Sequence, residues 1–386
     1  MPPTFTLDTS RSIKSSASGT NYESMLLQEQ TIIRLNEYSK LSLQFGKYTP
    51  QFTSENSMKS SLLAIQQSIR MNPTNIESWY LLAVTSYMYA IISKKSDRWR
   101  AAEKAIQLAL FKYQQSDALI DDFAVGFLQV AWADCLLDAE KYKEALAHLN
   151  KFTSDEYFIN TTPLLAVLYR QIARTLVAMN AKKEDVLKNY QQSLAANPLD
   201  CVSWIELAYY SDSIFGMNAA IKCFEQCAQL QQESPVELYL ILTQYSHYLI
   251  QNRCFEEAVP IVTQALDIQP DSPTALFLRG LLYWKAQDIA NAEEYFQRSL
   301  MMDPSQPLVN YYLSLVHIHV KDLETADSDL HYEQDNNRIS DAVLYQFGKI
   351  AGINKKPEVA KSYLQRAIHL NPTNDVYWKE LDKYKK

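Results

Sequence analysis

Several residue types and motifs are scarce in this sequence, and each scarcity excludes a class of protein. Only 7 of the 386 residues are glycine and 14 are proline, too few for the many tight turns of an all-β fold or for glycine-rich phosphate loops. No apolar run reaches the roughly 20 residues that a membrane-spanning helix needs. The longest such run, from Trp79 to Ile92, is interrupted by Thr85 and Ser86. The composition favours an α-helical protein without a transmembrane segment, which associates with membranes only through its partners.

Basic residues and cysteines are also limited. The net charge is -7 and the isoelectric point is near 5.5, and no run of lysine or arginine forms a basic stripe, so we expect no direct binding of nucleic acid. The five cysteines are an odd number, and no apolar signal segment opens the chain. This pattern is typical of reduced thiols inside the cell. We predict an intracellular protein of the cytoplasm, with the nucleus as the alternative.

Motifs of catalysis and metal binding are missing as well. The sequence contains no phosphate-binding loop, no dinucleotide fingerprint and no Gly-x-Ser-x-Gly motif. His317 and His319 are two residues apart on a predicted helix, so their side chains diverge by about 200° and cannot share a metal. Cys223 and Cys227 are four residues apart and could face the same way, but Cys227 occupies a small-residue packing position. We predict a chain that is not an enzyme and that holds no metal or cofactor.

The feature that the sequence does contain is a repeat. Helix-sized segments end in Asn-Pro, Gln-Pro or Asp-Pro at Pro73, Pro198, Pro270, Pro304 and Pro372. Pro270 and Pro304 are 34 residues apart, and Pro372 follows 68 residues later, which is twice that interval. In the unit that begins at Cys201, Ala208 and Ala220 would let two helices cross closely, and Phe224 would fill the gap one turn later. The spacing predicts stacked pairs of helices.

These residues resemble the consensus of the tetratricopeptide repeat family, in which W-x2-L-G is followed by A-x3-F and then by proline. The matching residues are Trp204, Leu207, Ala208, Ala220 and Phe224, then Gly280, Tyr283, Ala292, Phe296 and Pro304, and finally Gly348, Ala360, Leu364, Ala367 and Pro372. The matches stay in register over about 170 residues, from Cys201 to Pro372. Upstream of Cys201 the fit is looser.

The resemblance implies an all-α, right-handed superhelical solenoid of about nine antiparallel helix pairs with a C-terminal capping helix. We predict a disordered tail at 1–21, less regular helix pairs at 22–200, a regular array at 201–374 and the capping helix at 375–386. The pair within 22–72 should contain a long loop, FGKYTPQFTSENS. After the helix that contains Trp79, the next helix arrives about seven residues late against the repeat, which predicts a longer connection there. Pro260 should kink a helix, whereas Pro357 lies at a helix start, where proline is tolerated.

In arrays of this family the first helix of each pair lines a concave groove, at about the second, fifth, ninth and twelfth positions of each unit. The register applied to this sequence predicts an apolar, partner-binding groove. Its predicted residues are Tyr209, His247, Phe277, Leu281, Trp284, Tyr311, Leu315 and Tyr345. By the same register Tyr283 and Phe296 belong to the core. A register displaced by one residue would place the groove residues in the core instead.

Such a groove should be occupied, because large exposed apolar patches usually mark interaction sites. The Lys and Asn clamp with which related co-chaperones bind acidic chaperone tails is absent, and so is the asparagine ladder of O-GlcNAc transferase. The chain is more similar to repeat subunits of large assemblies such as the anaphase-promoting complex, the membrane-protein insertase of the endoplasmic reticulum, the Ski complex and ciliary cargo coats. We predict a non-enzymatic scaffold subunit that binds an extended segment or helix of another protein. The alternatives are a free peptide-binding adaptor, a co-chaperone-like module, and a regulatory subunit of an enzyme complex.

Overall fold

The structure is a computed structural model, and it describes residues 55–93, 95–115, 122–153, 162–304, 306, 308–336 and 341–384. Every regular element in these ranges is an α-helix, which confirms the predicted all-α class. The predicted tail at 1–21 lies outside the described residues, as do the first helix of the pair at 22–72 and most of its loop. No helix in the described ranges is long and apolar enough to cross a membrane.

The helices are numbered in chain order. The first nine are α1 (Glu55–Met71), α2 (Ile76–Ser93), α3 (Ser96–Gln114), α4 (Asp122–Asp138), α5 (Tyr142–Asn150), α6 (Thr162–Ala178), α7 (Lys183–Ala196), α8 (Cys201–Phe215) and α9 (Met217–Leu230). The other nine are α10 (Pro235–Gln251), α11 (Phe255–Ile268), α12 (Pro273–Lys285), α13 (Ile289–Met302), α14 (Val309–His319), α15 (Leu323–Asn336), α16 (Asp341–Ile353), α17 (Pro357–Leu370) and α18 (Asp375–Asp382). Contacts divide the chain into two units, Met1–Leu240 and Ile241–Lys386, with the boundary inside α10.

Consecutive helices form pairs within each unit. The closest partners are α2 with α3, α6 with α7 and α8 with α9 in the first unit, and α12 with α13, α14 with α15 and α16 with α17 in the second. In the second unit the later helix of each pair also contacts the first helix of the next pair, as α13 does with α14 and α15 with α16. The single helix α18 contacts α17 and is the predicted C-terminal helix. The predicted stacking of helix pairs is therefore present.

Small residues let the two helices of a pair approach closely. A Cβ atom added at Gly280 on α12 would lie 2.6 Å from the ring of Phe296 on α13, and Phe296 is completely buried. A Cβ atom at Gly348 on α16 would lie 2.8 Å from the side chain of Leu364 on α17. Real Cβ atoms keep greater distances from neighbouring carbons, so only glycine fits at either position without a shift. The close crossings predicted from the repeat consensus are confirmed at both positions.

Three tryptophans fix the connections between pairs. The indole Nε1 of Trp79 donates a hydrogen bond to the carbonyl oxygen of Pro73, at 2.9 Å. Trp204 makes the same bond to Pro198, at 2.9 Å, and Trp378 to Pro372, at 3.0 Å. In each case the tryptophan lies six residues after an Asn-Pro proline, so the start of the helix is tied to the turn that precedes it. This hydrogen bond explains why the six-residue spacing between proline and tryptophan recurs along the chain.

Left-handed residues close the turns inside the pairs. One residue with positive φ follows each first helix from α4 to α16, namely Glu140, Asn180, Gly216, Arg253, Gln287, Lys321 and Lys355. In six of the seven turns this residue is not glycine, although glycine adopts the conformation at least cost. Hydrogen bonds that close the helix ends, such as Asp288 N to Tyr283 O at 3.0 Å, accompany the turns. The chain therefore makes many tight turns in spite of its few glycines.

The predicted long connection after the helix that contains Trp79 is wrong. Helix α2 extends over 18 residues to Ser93, and α3 begins at Ser96. The additional residues belong to the helix, because the apolar stretch from Trp79 to Ile92 contains no glycine or proline that would end it. Helix α1 begins at Glu55, within the last three residues of the loop predicted before it.

Pro260 and Pro357 both lie within helices, as the sequence predicts. Helix α11 continues through Pro260, from Phe255 to Ile268; the kink expected there stays a prediction. Pro357 opens α17, as predicted. At the first turn of a helix a proline removes no intrahelical hydrogen bond.

We predict that Gly280→Ala destabilises the protein by about 1 to 3 kcal/mol, because the new methyl group must displace a completely buried ring. Chemical denaturation monitored by circular dichroism measures the change. In a Phe296→Leu background, where the ring is removed, the same substitution should have a clearly smaller effect. Equal losses in the two backgrounds would show that the α12–α13 contact does not limit the approach of the helices.

Candidate functional site

The structure places most of the predicted groove residues in the second unit. His247 lies on α10, Phe277, Leu281 and Trp284 on α12, Tyr311 and Leu315 on α14, and Tyr345 on α16. Tyr209, on α8, belongs to the first unit.

Phe277 and Leu281 are buried, with exposed fractions of 7% and 6%. The ring of Phe277 lies 5.9 Å from that of Phe296 and 5.7 Å from that of Tyr312 on α14. The sequence predicts Phe277 in the groove and only Phe296 in the core, but the structure buries both. The physical reason is that Tyr312, from the next helix pair, covers the side of α12 that the register leaves open.

Tyr283, in contrast, is more exposed than the sequence predicts. It is half-buried rather than part of the core, and its ring lies 5.3 Å from that of Tyr295. The guanidinium carbon of Arg279 lies 5.0 Å from the Tyr283 ring centroid. This geometry is that of a cation–π contact at a surface. Tyr283 therefore packs at the edge of the α12–α13 pair.

Four predicted groove residues are half-buried and lie on successive first helices of the second unit. We call Trp284, Tyr311, Leu315 and Tyr345 the second-unit surface. The Trp284 ring meets His319 of the next pair edge-on, at 6.3 Å, and the Tyr345 ring lies 5.0 Å from that of Tyr377. These contacts fix the rings while leaving part of each one open to a partner.

Tyr311 contacts both its own helix and the next helix pair. Its side chain packs against the buried cluster that includes Val343 and Phe347 on α16. Its ring meets that of Tyr312 edge-on, at 5.4 Å. Burial raises the pKa of its phenol, and a hydrogen bond with Gln346 lowers it in part. Tyr311 thus has a fixed orientation as well as an accessible side.

The remaining two predicted groove residues are also half-buried. The ring of Tyr209 packs edge-on against Phe224, at 6.0 Å, within the α8–α9 pair. Burial lowers the pKa of His247, and its Nε2 lies 3.4 Å from the side-chain nitrogen of Gln251. A lowered pKa favours the neutral imidazole at neutral pH.

The first unit contains a network of charges that sequence reasoning missed. Arg174 on α6 lies 3.3 Å from a carboxylate oxygen of Asp134 on α4 and 3.6 Å from one of Glu206 on α8. The hydroxyl of Tyr87 on α2 donates to the other oxygen of Asp134, at 2.5 Å. One turn before Arg174, Arg170 forms an ion pair of 2.6 Å with Asp200. The network joins the first helices of four consecutive pairs.

The network holds its charges in a partly buried setting. Burial lowers the pKa of Arg174, but the carboxylates of Asp134 and Glu206 outweigh this and raise it. Burial and the Asp134 charge raise the pKa of Tyr87 well above its ordinary value. The arginines therefore stay charged and the tyrosine stays neutral. A signal for the network was present in the sequence, because Asp134 and Arg174 directly follow Ala133 and Ala173, at the same position of successive units.

Groups suited to chemistry are already engaged in packing. None of the five cysteines forms a disulfide, and Cys227 is completely buried. A hydrogen bond with Cys201 and burial raise the pKa of the Cys227 thiol. In the described ranges no three side chains of His, Cys, Asp or Glu are arranged to hold a metal ion. His317 Nδ1 lies 2.6 Å from Asp329.

Comparison with known sequences identifies the repeat. A family profile described as tetratricopeptide repeat matches residues 246–307, and a second profile with the same description matches residues 342–374. The two matched segments, both in the second unit, are therefore similar to tetratricopeptide repeats. Proteins of this fold serve in general as scaffolds for protein–protein interaction, through the surfaces of their stacked helices.

The human protein named Tetratricopeptide repeat protein 13 is 28% identical over 166 residues, which are 42% of this chain. The match spans only 18% of that relative's length. A solved structure of the human IFIT1 dimer with m7Gppp-AAAA covers 96% of this chain and 86% of its own, with a TM-score of 0.51 at 14% identity. The anaphase-promoting complex hetero-tetramer Cut9–Hcn1 covers 96% and 97%, with a TM-score of 0.49 at 12% identity. The likeness to IFIT1 shows the fold alone, and its ligand is a property of that protein.

The charge network should contribute to stability. We predict that Arg174→Ala destabilises the protein by about 2 to 3 kcal/mol, because Asp134 and Glu206 are left partly buried without a counter-charge. Arg100→Ala, at an exposed position of α3, should change stability by less than about 0.5 kcal/mol. Urea denaturation measures both variants. Adding Asp134→Asn to Arg174→Ala should recover part of the lost stability, because it removes one of the unpaired carboxylates. Similar small losses of stability in Arg174→Ala and Arg100→Ala would contradict a stabilising role of the ion pairs.

Proposed function

We propose that this chain is a non-enzymatic scaffold subunit of a multiprotein complex, and that it holds an extended segment or helix of another protein against the second-unit surface. The observation that carries the proposal is the set of half-buried aromatic side chains on the first helices α12, α14 and α16. Trp284, Tyr311 and Tyr345 are each oriented by a neighbouring ring, at 6.3, 5.4 and 5.0 Å respectively. Aromatic residues of this kind dominate the energetics of protein interfaces.

Preorganisation supports a stable complex rather than an adaptor that binds transiently. Because packing already holds these rings in place, binding a partner would cost them little side-chain entropy. The four side chains of the second-unit surface are aromatic or aliphatic, whereas a transient adaptor would be expected to present more asparagine, lysine and arginine to the main chain and carboxylates of a short peptide. Its apolar character resembles that of interfaces that stay assembled.

The charge and thiols of the chain support the remaining parts of the proposal. A net charge of -7 disfavours direct binding of nucleic acid. Five cysteines that form no disulfide favour a reducing compartment, so we propose that the protein lies inside the cell, in the cytoplasm or the nucleus. The partner proteins would supply any chemistry and any attachment to membranes.

We predict that Trp284→Ala combined with Tyr311→Ala weakens partner binding at least about a hundredfold, because each truncated anchor at an interface contributes on the order of 2 kcal/mol. The partner is first identified by mass spectrometry of the complex purified from native extract, and its affinity is then measured by calorimetry below the melting temperature of every variant. Truncating Tyr311 should also lower the melting temperature slightly, since its ring packs on α16.

Phe296→Ala is the matched control, because it removes an aromatic side chain that is completely buried. It should lower the stability by roughly 3 to 5 kcal/mol and leave the affinity of the folded protein nearly unchanged. If the double variant is folded and retains wild-type affinity, the second-unit surface is not the binding site.

A further inference from the structure

The hydroxyl group of Tyr311 is bonded differently from those of three other tyrosines. Each of the three donates its hydroxyl hydrogen to a carboxylate; they are Tyr87, Tyr190 and Tyr377. Tyr311 forms its hydrogen bond with the uncharged side chain of Gln346 instead. Burial raises the pKa of the Tyr311 phenol, and the bond with Gln346 lowers it in part. A hydrogen bond lowers the pKa of a phenol when the phenol oxygen accepts it.

The side chain of Gln346 shows the same direction of donation. Gln346 lies on α16 and is buried, with an exposed fraction of 6%. Its Oε1 has no hydrogen-bond partner among the described residues, so the bond to Tyr311 is made by Nε2. An amide nitrogen can only donate, and therefore the Tyr311 oxygen accepts. The hydrogen of the Tyr311 hydroxyl is left for a different acceptor.

The carboxylate of Asp341, whose charge acts on the Tyr311 phenol, is engaged elsewhere. Its Oδ2 accepts hydrogen bonds from Asn371, at 2.9 Å, and from Tyr377, at 2.8 Å. The Tyr311 ring is held edge-on against Tyr312, at 5.4 Å, which fixes the position of its hydroxyl. Within the described part of the chain, no side chain or main-chain group accepts the hydrogen of this hydroxyl.

We infer that Tyr311 donates this hydrogen to a main-chain carbonyl of the bound segment, that Gln346 is the positioning residue that keeps the hydrogen available, and that the segment is extended where it crosses α14. The inference rests on the proposed function and decides between an extended segment and a helix. The main-chain carbonyls of a helix are bonded within it except in the last turn, whereas an extended segment offers them along its length. A carboxylate acceptor would be repelled by the charge of Asp341, but a carbonyl is neutral.

Peptide selection supplies the probe, since the natural partner is unidentified. Random twelve-residue peptides displayed within a loop are selected on the purified full chain, and those that also bind Trp284→Ala are discarded. One selected peptide is synthesised, and its affinity is measured by fluorescence anisotropy. We expect Tyr311→Phe to weaken its binding about tenfold, because the substitution removes one hydrogen bond and keeps the ring.

Gln346→Glu tests the positioning role. An ionised carboxylate can only accept, so it would take the hydrogen of Tyr311, and the affinity should again fall about tenfold. In a Tyr311→Phe background the same substitution should cause no further loss, because the hydrogen is already absent. Gln346→Met, which brings no charge into the interior, should show the same dependence on the background with a smaller loss. Gln365→Glu, at an exposed position of the second helix α17, is the matched control and should leave the affinity unchanged.

The main chain of the peptide provides the complementary test. Replacing one amide at a time by an ester weakens each carbonyl as an acceptor in turn. At one position the ester should weaken binding to the wild-type chain but not to Tyr311→Phe. A scan without such a position would show that the acceptor is not a main-chain carbonyl, which would overturn the inference. Circular dichroism verifies that every variant is folded.

The failures of the two proposals can be distinguished. A peptide that depends on Trp284 but binds equally well to the wild-type chain and to Tyr311→Phe would overturn the inference and leave the proposed function intact. Additive losses in Gln346→Glu and Tyr311→Phe would show that Gln346 does not act through the Tyr311 hydroxyl. If no peptide is selected whose binding is lost in Trp284→Ala, the second-unit surface is not a docking site, and both proposals fall.

Discussion

The close approach of two helices, made possible by a small residue opposite a large one, is the contact on which the α12–α13 and α16–α17 pairs depend. Gly280 leaves room for the ring of Phe296, and Gly348 leaves room for Leu364. Because interiors are packed to the density of organic crystals, these contacts admit little variation in distance. They set the position of each first helix, and through it the position of every side chain that the helix presents.

The connections between helices preserve this spacing from one pair to the next. Trp79, Trp204 and Trp378 tie helix starts to the preceding Asn-Pro turns. Left-handed residues such as Gln287 and Lys321 reverse the chain within a pair. On this common framework the first helices bear different surfaces, since the first unit carries the ion network around Arg174 and the second carries the aromatic residues around Tyr311. We interpret the network as a structural element and the aromatic surface as the site of binding.

The sequence was sufficient for the features that depend on contacts within a pair. Gly280, Ala208 and Phe224 identify the crossing of two helices because their sizes and spacing encode it. Features that depend on contacts between pairs were not predictable in the same way. Phe277 is buried because Tyr312, 35 residues later, covers it, and no consensus position records that contact.

The length of α2 and the ion network illustrate the same limit. The repeat consensus fixes where helices cross but not how far they extend, so it predicts a connection where α2 has an additional turn. Asp134 and Arg174 directly follow the small residue of successive first helices, yet only the structure shows that they pair with each other. For the same reason the roles of His247, Trp284, Leu315 and Tyr345 in binding rest on the proposal.

Hydroxyl-radical footprinting of the complex purified from native extract, compared with the free chain, tests that proposal most directly. The account predicts that Trp284, Tyr311 and Tyr345 become several-fold less reactive in the complex, while Tyr332, which is 45% exposed on the second helix α15, keeps its reactivity. Protection of Tyr332 with no change at the three aromatic residues of the second-unit surface would contradict it.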